Sequence, residues 1–366
     1  MKINYKINNF VHKIYIKKQI SSYILNDIER LNSDRKILLI CDGNVNKKFI
    51  NNIVSNLKIK GLEISIAEVN GGKLKKNEKL LFKLIDILIE KKFTKKSILM
   101  SIGGGVVGDV SGLAASLYLR GIIYLHIPTT MTAIIDSCLG GKTAINYKKI
   151  INSIGNYYHS HCVYISLDII RDLPEREYLS GFPEILKCAL ISKKRFFLNF
   201  LLKNNKKIIM RKESLIKKIC YETLKIKISF FLKDINEQNK RLMLNFGHTF
   251  AHAIEMATDI YKKEYFRHGE AVGLGVLCEI YYSNKNRNSL FKLVENFLYK
   301  LNLPTRINNK NINKIKLQSD IYKFLYLDKK KIGKHPRYIS LKSIGKPKIG
   351  NLENDTLINE TILNII

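Results

Sequence analysis

Between residues 36 and 127, short apolar runs alternate with amphipathic stretches, and this alternation limits the possible folds more than any other feature. The runs are Lys36–Cys41, Leu62–Val69, Ser97–Ile102 and Ile122–Ile127. They are of strand length, and turn residues bound them: Asp42-Gly43-Asn44 follows the first and Asn70-Gly71-Gly72 the second. Between them, Lys47–Lys58 and Lys79–Lys91 carry apolar residues at helical spacing, with Leu80, Leu81, Leu84, Ile85 and Leu88 on one face of the second. Apolar strands separated by helices pair in parallel, under helices that cover the sheet. Residues 1–35 show no strong period, and no element is assigned to them.

From about residue 176 glycines and strand-like runs thin out. Long amphipathic patterns take over at Phe182–Lys194, Phe196–Lys203, Leu215–Leu232, Phe246–Thr258, Glu270–Asn284 and Ser289–Leu301. The chain of 366 residues is thus expected to hold two domains. One is an α/β nucleotide-binding domain with a parallel sheet over 1–175, the other a mostly α-helical domain over 176–366.

The formal net charge of +32 raises nucleic-acid binding as one reading. The excess is lysine, spread with Ile and Asn along the whole chain, as AT-rich coding produces. No basic block stands out and aromatic residues do not interleave with the lysines, so no specific nucleic-acid partner is expected. The charge does favour anionic ligands. The six cysteines are scattered without a CxxC pair, which excludes a zinc ribbon or redox pair and fits free thiols in a reducing cytoplasm. The most apolar stretch, 106–128, is broken by Asp109 and Arg120, so no membrane span is expected.

The third strand runs into Gly103-Gly104-Gly105-Val106-Val107-Gly108-Asp109, with a helix expected over Val110–Leu119. The loop has the form G-x-G-x-x-G, in which glycines admit a pyrophosphate close to the backbone at a helix N-terminus. It lies a hundred residues into the chain, and no acidic residue follows within 120–130. This is either a phosphate cradle in an arrangement other than the usual first βα turn, or a tight turn without a ligand. Gly140-Gly141-Lys142-Thr143 lacks the glycine spacing of a P-loop, which argues against an NTPase. Lys142 still suits a phosphate as a point charge.

His248 and His252 stand four residues apart and project from one face of a helix. His268 follows a loop, and Glu255 and Glu270 are close in sequence. One histidine in such a pattern is more often an ordinary hydrogen-bonded core residue. Three beside two carboxylates point to a metal site, with His248 and His252 placed to chelate one ion and His268 able to return to the same point. Glu184 and Lys187 share a helical face, as a surface ion pair also would.

Together these motifs resemble the 3-dehydroquinate synthase family. The resemblance covers Gly103–Asp109, Arg120-Gly121, Pro128–Thr130, Asp136–Thr143, Leu173–Glu177, Glu184–Lys187, Asn245–Glu255, His268–Val272 and Asp328–Lys330, in order. It implies a homodimeric cytoplasmic enzyme that uses NAD and a divalent metal, zinc or else cobalt. The implied reaction turns 3-deoxy-D-arabino-heptulosonate 7-phosphate into 3-dehydroquinate and phosphate, a step of the shikimate pathway. By the same resemblance the metal ligands are Glu184, His248 and His268, and His252 carries a proton. Arg241 meets the substrate carboxylate, while Lys187, Lys227 and Asn245 hold carboxylate and hydroxyls. Lys142, Asn152 and Lys329 take the phosphate, joined by Arg120 of the partner subunit. NAD lies along Gly104, Gly105, Val106, Asp109, Thr129 and Thr130, with Asp42, Asn44 and Lys76 nearer its adenosine and Asp136 between nicotinamide and substrate.

Some positions depart from the family pattern. Lys73 stands where the resemblance implies a glutamate on the ribose, and Ile151 where it implies a lysine, with Lys148 and Lys149 the nearest substitutes. These changes lie on the cofactor side, so weaker NAD binding with retained chemistry is expected. The competing readings are a sister cyclase acting on a neutral sugar phosphate, a metal-dependent alcohol dehydrogenase of the same architecture, and a basic nucleic-acid-binding protein.

Overall fold

Strand β3 (Lys36–Asp42) and strand β5 (Ile98–Gly103) lie side by side in a seven-stranded sheet, which grows away from this pair in both directions. In chain order the first unit runs β1 (Lys2–Ile7), β2 (Phe10–Lys17), α1 (Ser21–Arg30), β3, α2 (Lys47–Ile59), β4 (Glu63–Val69), α3 (Glu78–Glu90), β5, α4 (Gly105–Leu117), β6 (Ile123–Pro128), β7 (Lys142–Tyr147), β8 (Ile150–Tyr157), β9 (Cys162–Ser166) and α5 (Leu167–Asp172). The sheet order is β1-β2-β9-β6-β5-β3-β4. All neighbours are parallel except the edge pair β1–β2. The computed structural model describes residues 1–31, 33–69, 72, 76–148, 150–308, 312–327 and 335–366.

The parallel core follows from burial on both faces. Ile37, Leu39 and Cys41 of β3 pack with Ile24 and Ile28 of α1 and Ile53 and Leu57 of α2. Leu38 and Ile40 point the other way, to Leu81, Leu84 and Leu88 of α3 and Val107, Val110 and Leu113 of α4. Alternate side chains of one strand thus feed two cores, which is why the strand is apolar throughout.

The N-terminal hairpin was not legible as an element. In β1, Ile3 and Tyr5 are buried while Lys2, Asn4 and Lys6 are exposed, the period of a half-buried strand. Lysine and asparagine are so frequent in this chain that such alternation carries little contrast. The hairpin β7–β8 was also missed, because β8 is exposed along its whole length and shows no apolar period. Helix α4 starts at Gly105, five residues earlier than expected, because its first turn is glycine-rich.

The chain divides into two compact units, Met1–Leu173 and Pro174–Ile366. The second unit contains α6 (Glu175–Leu179), α7 (Phe182–Ile191), α8 (Arg195–Lys203), α9 (Asn205–Ile209), α10 (Glu213–Phe231), α11 (His248–Asp259), α12 (His268–Asn284), α13 (Ser289–Lys300), α14 (Lys314–Tyr326) and α15 (Asp355–Leu363). A short antiparallel pair joins them, β10 (Arg337–Ser340) with β11 (Lys348–Asn351). Helix α12 is buried along nearly its full length and forms the axis of this unit. All six cysteines are buried and none forms a disulfide. No helix among the described residues is long and apolar enough to cross a membrane.

Helix α12 comes close to its neighbours at two glycines. A Cβ at Gly275 would overlap the carbonyl oxygen of Gly247, ahead of α11, and one at Gly269 would overlap the carbonyl of Ser180, ahead of α7. These obstacles are backbone atoms and cannot rotate away. Gly275→Ala should therefore cost about 1–3 kcal/mol or more and lower the melting temperature by about 5–10 °C. A thermal melt superimposable on that of the unmodified protein would contradict this packing.

Candidate functional site

Helix α7 begins at Phe182-Pro183, with proline in the first turn where its missing N–H is no loss. That turn carries Glu184, and Lys187 follows one turn on; each is 1% exposed and the two form an ion pair. Helix α11 begins at His248, immediately after Gly247, whose φ of +83° is a left-handed conformation natural only to glycine. Helix α12 begins at His268. The close approaches at Gly269 and Gly275 therefore bring three helix starts to one point. The ligand atoms of Glu184, His248 and His268 all lie within 4.8 Å of one another.

Neither carboxylate oxygen of Glu184 has a hydrogen-bond partner of good geometry, although both are buried. Its Oε1 faces His248 Nε2 at 3.4 Å and His268 Nε2 at 3.5 Å. Burial alone would raise the Glu184 carboxyl, but the Lys187 ammonium and the two imidazoles hold it well below the ordinary carboxylate range. Burial, reinforced by Lys187, pushes His248 down to about 4, so its ring is neutral. Its Nδ1 lies 3.3 Å from the carbonyl of Phe246, which fits a proton on Nδ1 and a lone pair on Nε2. His268 Nδ1 lies 3.3 Å from Glu255 Oε2. Burial opposes its charge, yet Glu255 and Glu184 raise His268 to about 10. A buried carboxylate that is ion-paired with Lys187 through one oxygen and faces two imidazole nitrogens with the other fits the donor set of a divalent-metal site, with each imidazole steered from its far side.

The His252 ring lies 5.6 Å from that of His248 and 6.1 Å from that of His268, beside the triad but outside the group able to share one ion. Glu270 takes no part in the triad. It accepts both Nε and Nη2 of Arg176, at 2.8 and 2.7 Å, and the backbone N–H of Arg267 at 2.9 Å. The sequence marked the Arg176 segment without giving it a role, since the contact spans 94 residues.

Lys227 of α10 is buried, as is Arg241, which sits in a 3₁₀ turn over Lys240–Asn245. This turn packs with α7 and α10. It is braced by Asp234, whose carboxylate accepts the backbone N–H groups of Gln238, Asn239 and Arg241 at 2.7–3.0 Å. Arg241 Nη1 donates to the carbonyl of Ile235 at 2.8 Å. Asn245 donates to Glu237 at 3.0 Å. Buried cations on packed elements suit a small anionic ligand.

In the first unit, β3 leads through α2 to β4 on one side, whereas β5 leads through α4 to β6 on the other. The carboxyl ends of β3 and β5 are thus the switch point of the sheet, the usual ligand crevice of open α/β folds. Asp42 and Asn44 lie at one of these ends, joined by an Asx turn with bonds of 3.0 Å. Gly103, Gly104 and Gly105 lie at the other, in register, since Cys41 pairs with Ile102. Gly104 caps α4 without a side-chain hydrogen bond, leaving the first turn at Gly105 and Val106 to a ligand. A Cβ at Gly104 would come 3.0 Å from the Thr130 methyl, and Thr129 N–H donates to the Gly103 carbonyl at 3.0 Å, so both threonines flank the loop.

Asp109 is ion-paired with Lys76, which also donates to Asn152 Oδ1 at 2.5 Å. Burial pushes the Asp109 carboxyl up despite Lys76, and Asp136 adds to the rise. The structure thus places Lys76 with Asp109 and Asn152, and Lys76 is the cation beside Asn152. Lys142 lines a small polar cavity with Asp109, Tyr124 and His126. His126 was missed, since a lone histidine in a strand gives no signal; its Nδ1 lies 2.7 Å from Ser101 Oγ, beneath Gly108. Arg120 lies exposed in a turn where it and Leu119 both have positive φ, 61° and 49°. Lys329, Lys73 and Lys149 lie outside the described residues.

The family model for the 3-dehydroquinate synthase N-terminal domain matches residues 66–180, and that for the C-terminal domain matches residues 181–331. The 3-dehydroquinate synthase of Pelagibacter ubique is 40% identical over 325 residues, covering 88% of this chain and 86% of the relative. That of Thermodesulfovibrio yellowstonii is 34% identical over 355 residues, covering 95% of each. Among solved structures, 2-deoxy-scyllo-inosose synthase complexed with carbaglucose-6-phosphate, NAD+ and Co2+ matches the fold with a TM-score of 0.87 at 24% identity, over 100% of both chains. With both family models matched end to end and relatives of this identity along most of its length, the chain belongs to the 3-dehydroquinate synthase family.

Proposed function

We propose that the chain catalyses the reaction named by its family, the conversion of 3-deoxy-D-arabino-heptulosonate 7-phosphate to 3-dehydroquinate and phosphate. The observation that carries the reading furthest is the buried triad of Glu184, His248 and His268, whose ligand atoms all lie within 4.8 Å of one another. One carboxylate and two imidazoles suit zinc, or cobalt, and leave a position open to substrate. The glycine loop at the switch point fits the pyrophosphate of NAD. When bound, the cation polarises a substrate hydroxyl and NAD takes up and returns a hydride, so that neither is consumed.

The chain's own side chains bind, orient and move protons. Arg241 pairs with the substrate carboxylate through its planar fork, and Lys187, Lys227 and Asn245 fix carboxylate and hydroxyls. His252, next to the triad, takes the proton of the polarised hydroxyl. Asp136 lies between nicotinamide and substrate, and Asp42, Asn44, Gly104, Gly105, Val106, Asp109, Thr129 and Thr130 line the dinucleotide. Lys76 serves the same pocket through Asp109 and Asn152. Lys142, Asn152 and Lys329 receive the phosphate, with Arg120 of the partner subunit in a homodimer. The substrate phosphate leaves by elimination, and geometry held by the protein then guides ring closure. Arg241 carries a buried guanidinium fork that suits a carboxylate, a group the neutral sugar phosphates of sister cyclases lack. A cytoplasmic setting suits the cysteines, and the +32 charge suits an anionic substrate.

The direct assay is phosphate release from the heptulosonate phosphate with NAD and Zn2+ or Co2+. Turnover should vanish with chelator and with sedoheptulose 7-phosphate in place of the acid; absence of release with either metal would refute the function. His252→Ala should keep the metal and lose about 10²–10⁴-fold in kcat. His248→Ala should lose metal and rate together, and a metal-replete His248→Ala protein would remove it from the ligand set. Lys73→Glu should tighten NAD binding by about two- to tenfold, a gain of one ribose hydrogen bond. Unchanged or weaker binding in an NAD titration would show that the departure at Lys73 does not limit the cofactor.

A further inference from the structure

We infer that Arg176 is a positioning residue for the metal centre, holding His268 in place through Glu270. The inference rests on the reading of Glu184, His248 and His268 as metal ligands, and none of the roles carried over from the family uses Arg176 or Glu270.

His268 is the first residue of α12. No earlier turn of helix holds it, and helix ends fray unless they are tied down. Three contacts tie this one. Glu270 reaches back to accept the Arg267 N–H at 2.9 Å, fixing the backbone just before His268. Arg176 of α6 donates to both oxygens of Glu270, Nε to Oε1 at 2.8 Å and Nη2 to Oε2 at 2.7 Å. The same Nη2 donates to the carbonyl of Tyr265 at 2.7 Å, which secures the loop leading into the helix. Arg267 adds ion pairs to Glu177 at 2.6 Å and Glu264 at 2.7 Å.

Arg176 stands eight residues before Glu184, and Glu270 two residues after His268. The Arg176–Glu270 pair therefore joins the segment that delivers one ligand to the helix that delivers another. At the same junction the backbone of Gly269 lies against the carbonyl of Ser180. Glu255 steers the His268 ring, whereas Arg176 and Glu270 steer its backbone. Arg176 is half-exposed, so water screens part of the stability cost of its loss. Glu270 is buried, so its carboxylate cannot keep its place without the paired guanidinium.

The test uses full-length protein stripped of metal by chelator and titrated with Co2+ alone, read by affinity and by the visible absorption of the bound ion. Arg176→Gln should weaken Co2+ binding by about 10- to 100-fold and alter the absorption bands, while shifting the melting temperature of the metal-free protein by only a few degrees. Arg176→Lys should fall between, because lysine supplies the charge without the two-pronged geometry. It also decides the matter should the glutamine variant fail to fold. Lys194→Gln, which removes the 2.9 Å pair with Glu222 elsewhere in the unit, should bind Co2+ as the unmodified protein does. The inference is overturned if both Arg176 variants bind Co2+ within about twofold of the unmodified protein with the same spectrum, or if Lys194→Gln weakens binding equally. An unmodified protein that binds no Co2+ overturns the metal reading itself, and the positioning role with it.

Discussion

The close contact of helix α12 with the starts of α7 and α11 is the constraint on which the second unit depends. At Gly269 and Gly275 there is no room for even a methyl group, because backbone carbonyls occupy the space. That contact makes Glu184, His248 and His268, spread over 85 positions, meet within 4.8 Å. Each stands in the first turn of its helix, so three helix N-termini converge. The packing buries the group beside Lys187: the ammonium and the two imidazoles keep Glu184 ionised, and burial with Lys187 disfavours protonation of His248. Packing and electrostatics are thus one arrangement: the glycines allow the approach, and the approach sets the charge states.

The first unit meets a similar demand differently. Its sheet reverses direction of growth between β3 and β5, and in open sheets of this kind the strand ends at such a point are the usual ligand crevice. Gly104 opens α4 there with its backbone donors free of any side-chain cap. Nearby charge is balanced locally, Lys76 against Asp109. The large lysine excess of the chain plays little part in this. In the second unit Lys187, Lys227 and Arg241 are withdrawn from water.

Much of this was legible from local pattern. The central strands and most long helices were readable because a doubly buried strand and an amphipathic helix each leave a periodic trace. The antiparallel edge β1–β2 and the exposed hairpin β7–β8 were not. One is hidden by a background of Lys, Ile and Asn, and the other has no buried face to leave a trace. The grouping of Glu184 with His248 and His268 came from a motif resemblance, because nothing in sequence spacing says that Glu184 meets His248. The functions of Glu270 and Arg176 were invisible for the same reason, and a carboxylate beside three histidines was naturally grouped with them.

The sequence by itself determined the class of fold and the family. These depend on residue types and short spacings, which are written along the chain. Only the tertiary structure decided which carboxylate serves which histidine. Glu184 faces both triad imidazoles, Glu255 the far nitrogen of His268, and Glu270 the guanidinium of Arg176. The physical reason is that a side chain's partner is set by how helices distant in sequence pack, and here that packing turns on whether two backbones can touch. The pair of histidines that first suggested a chelate, His248 and His252, is separated by the same logic: the helix puts them on one face, and only His248 meets the carboxylate from α7.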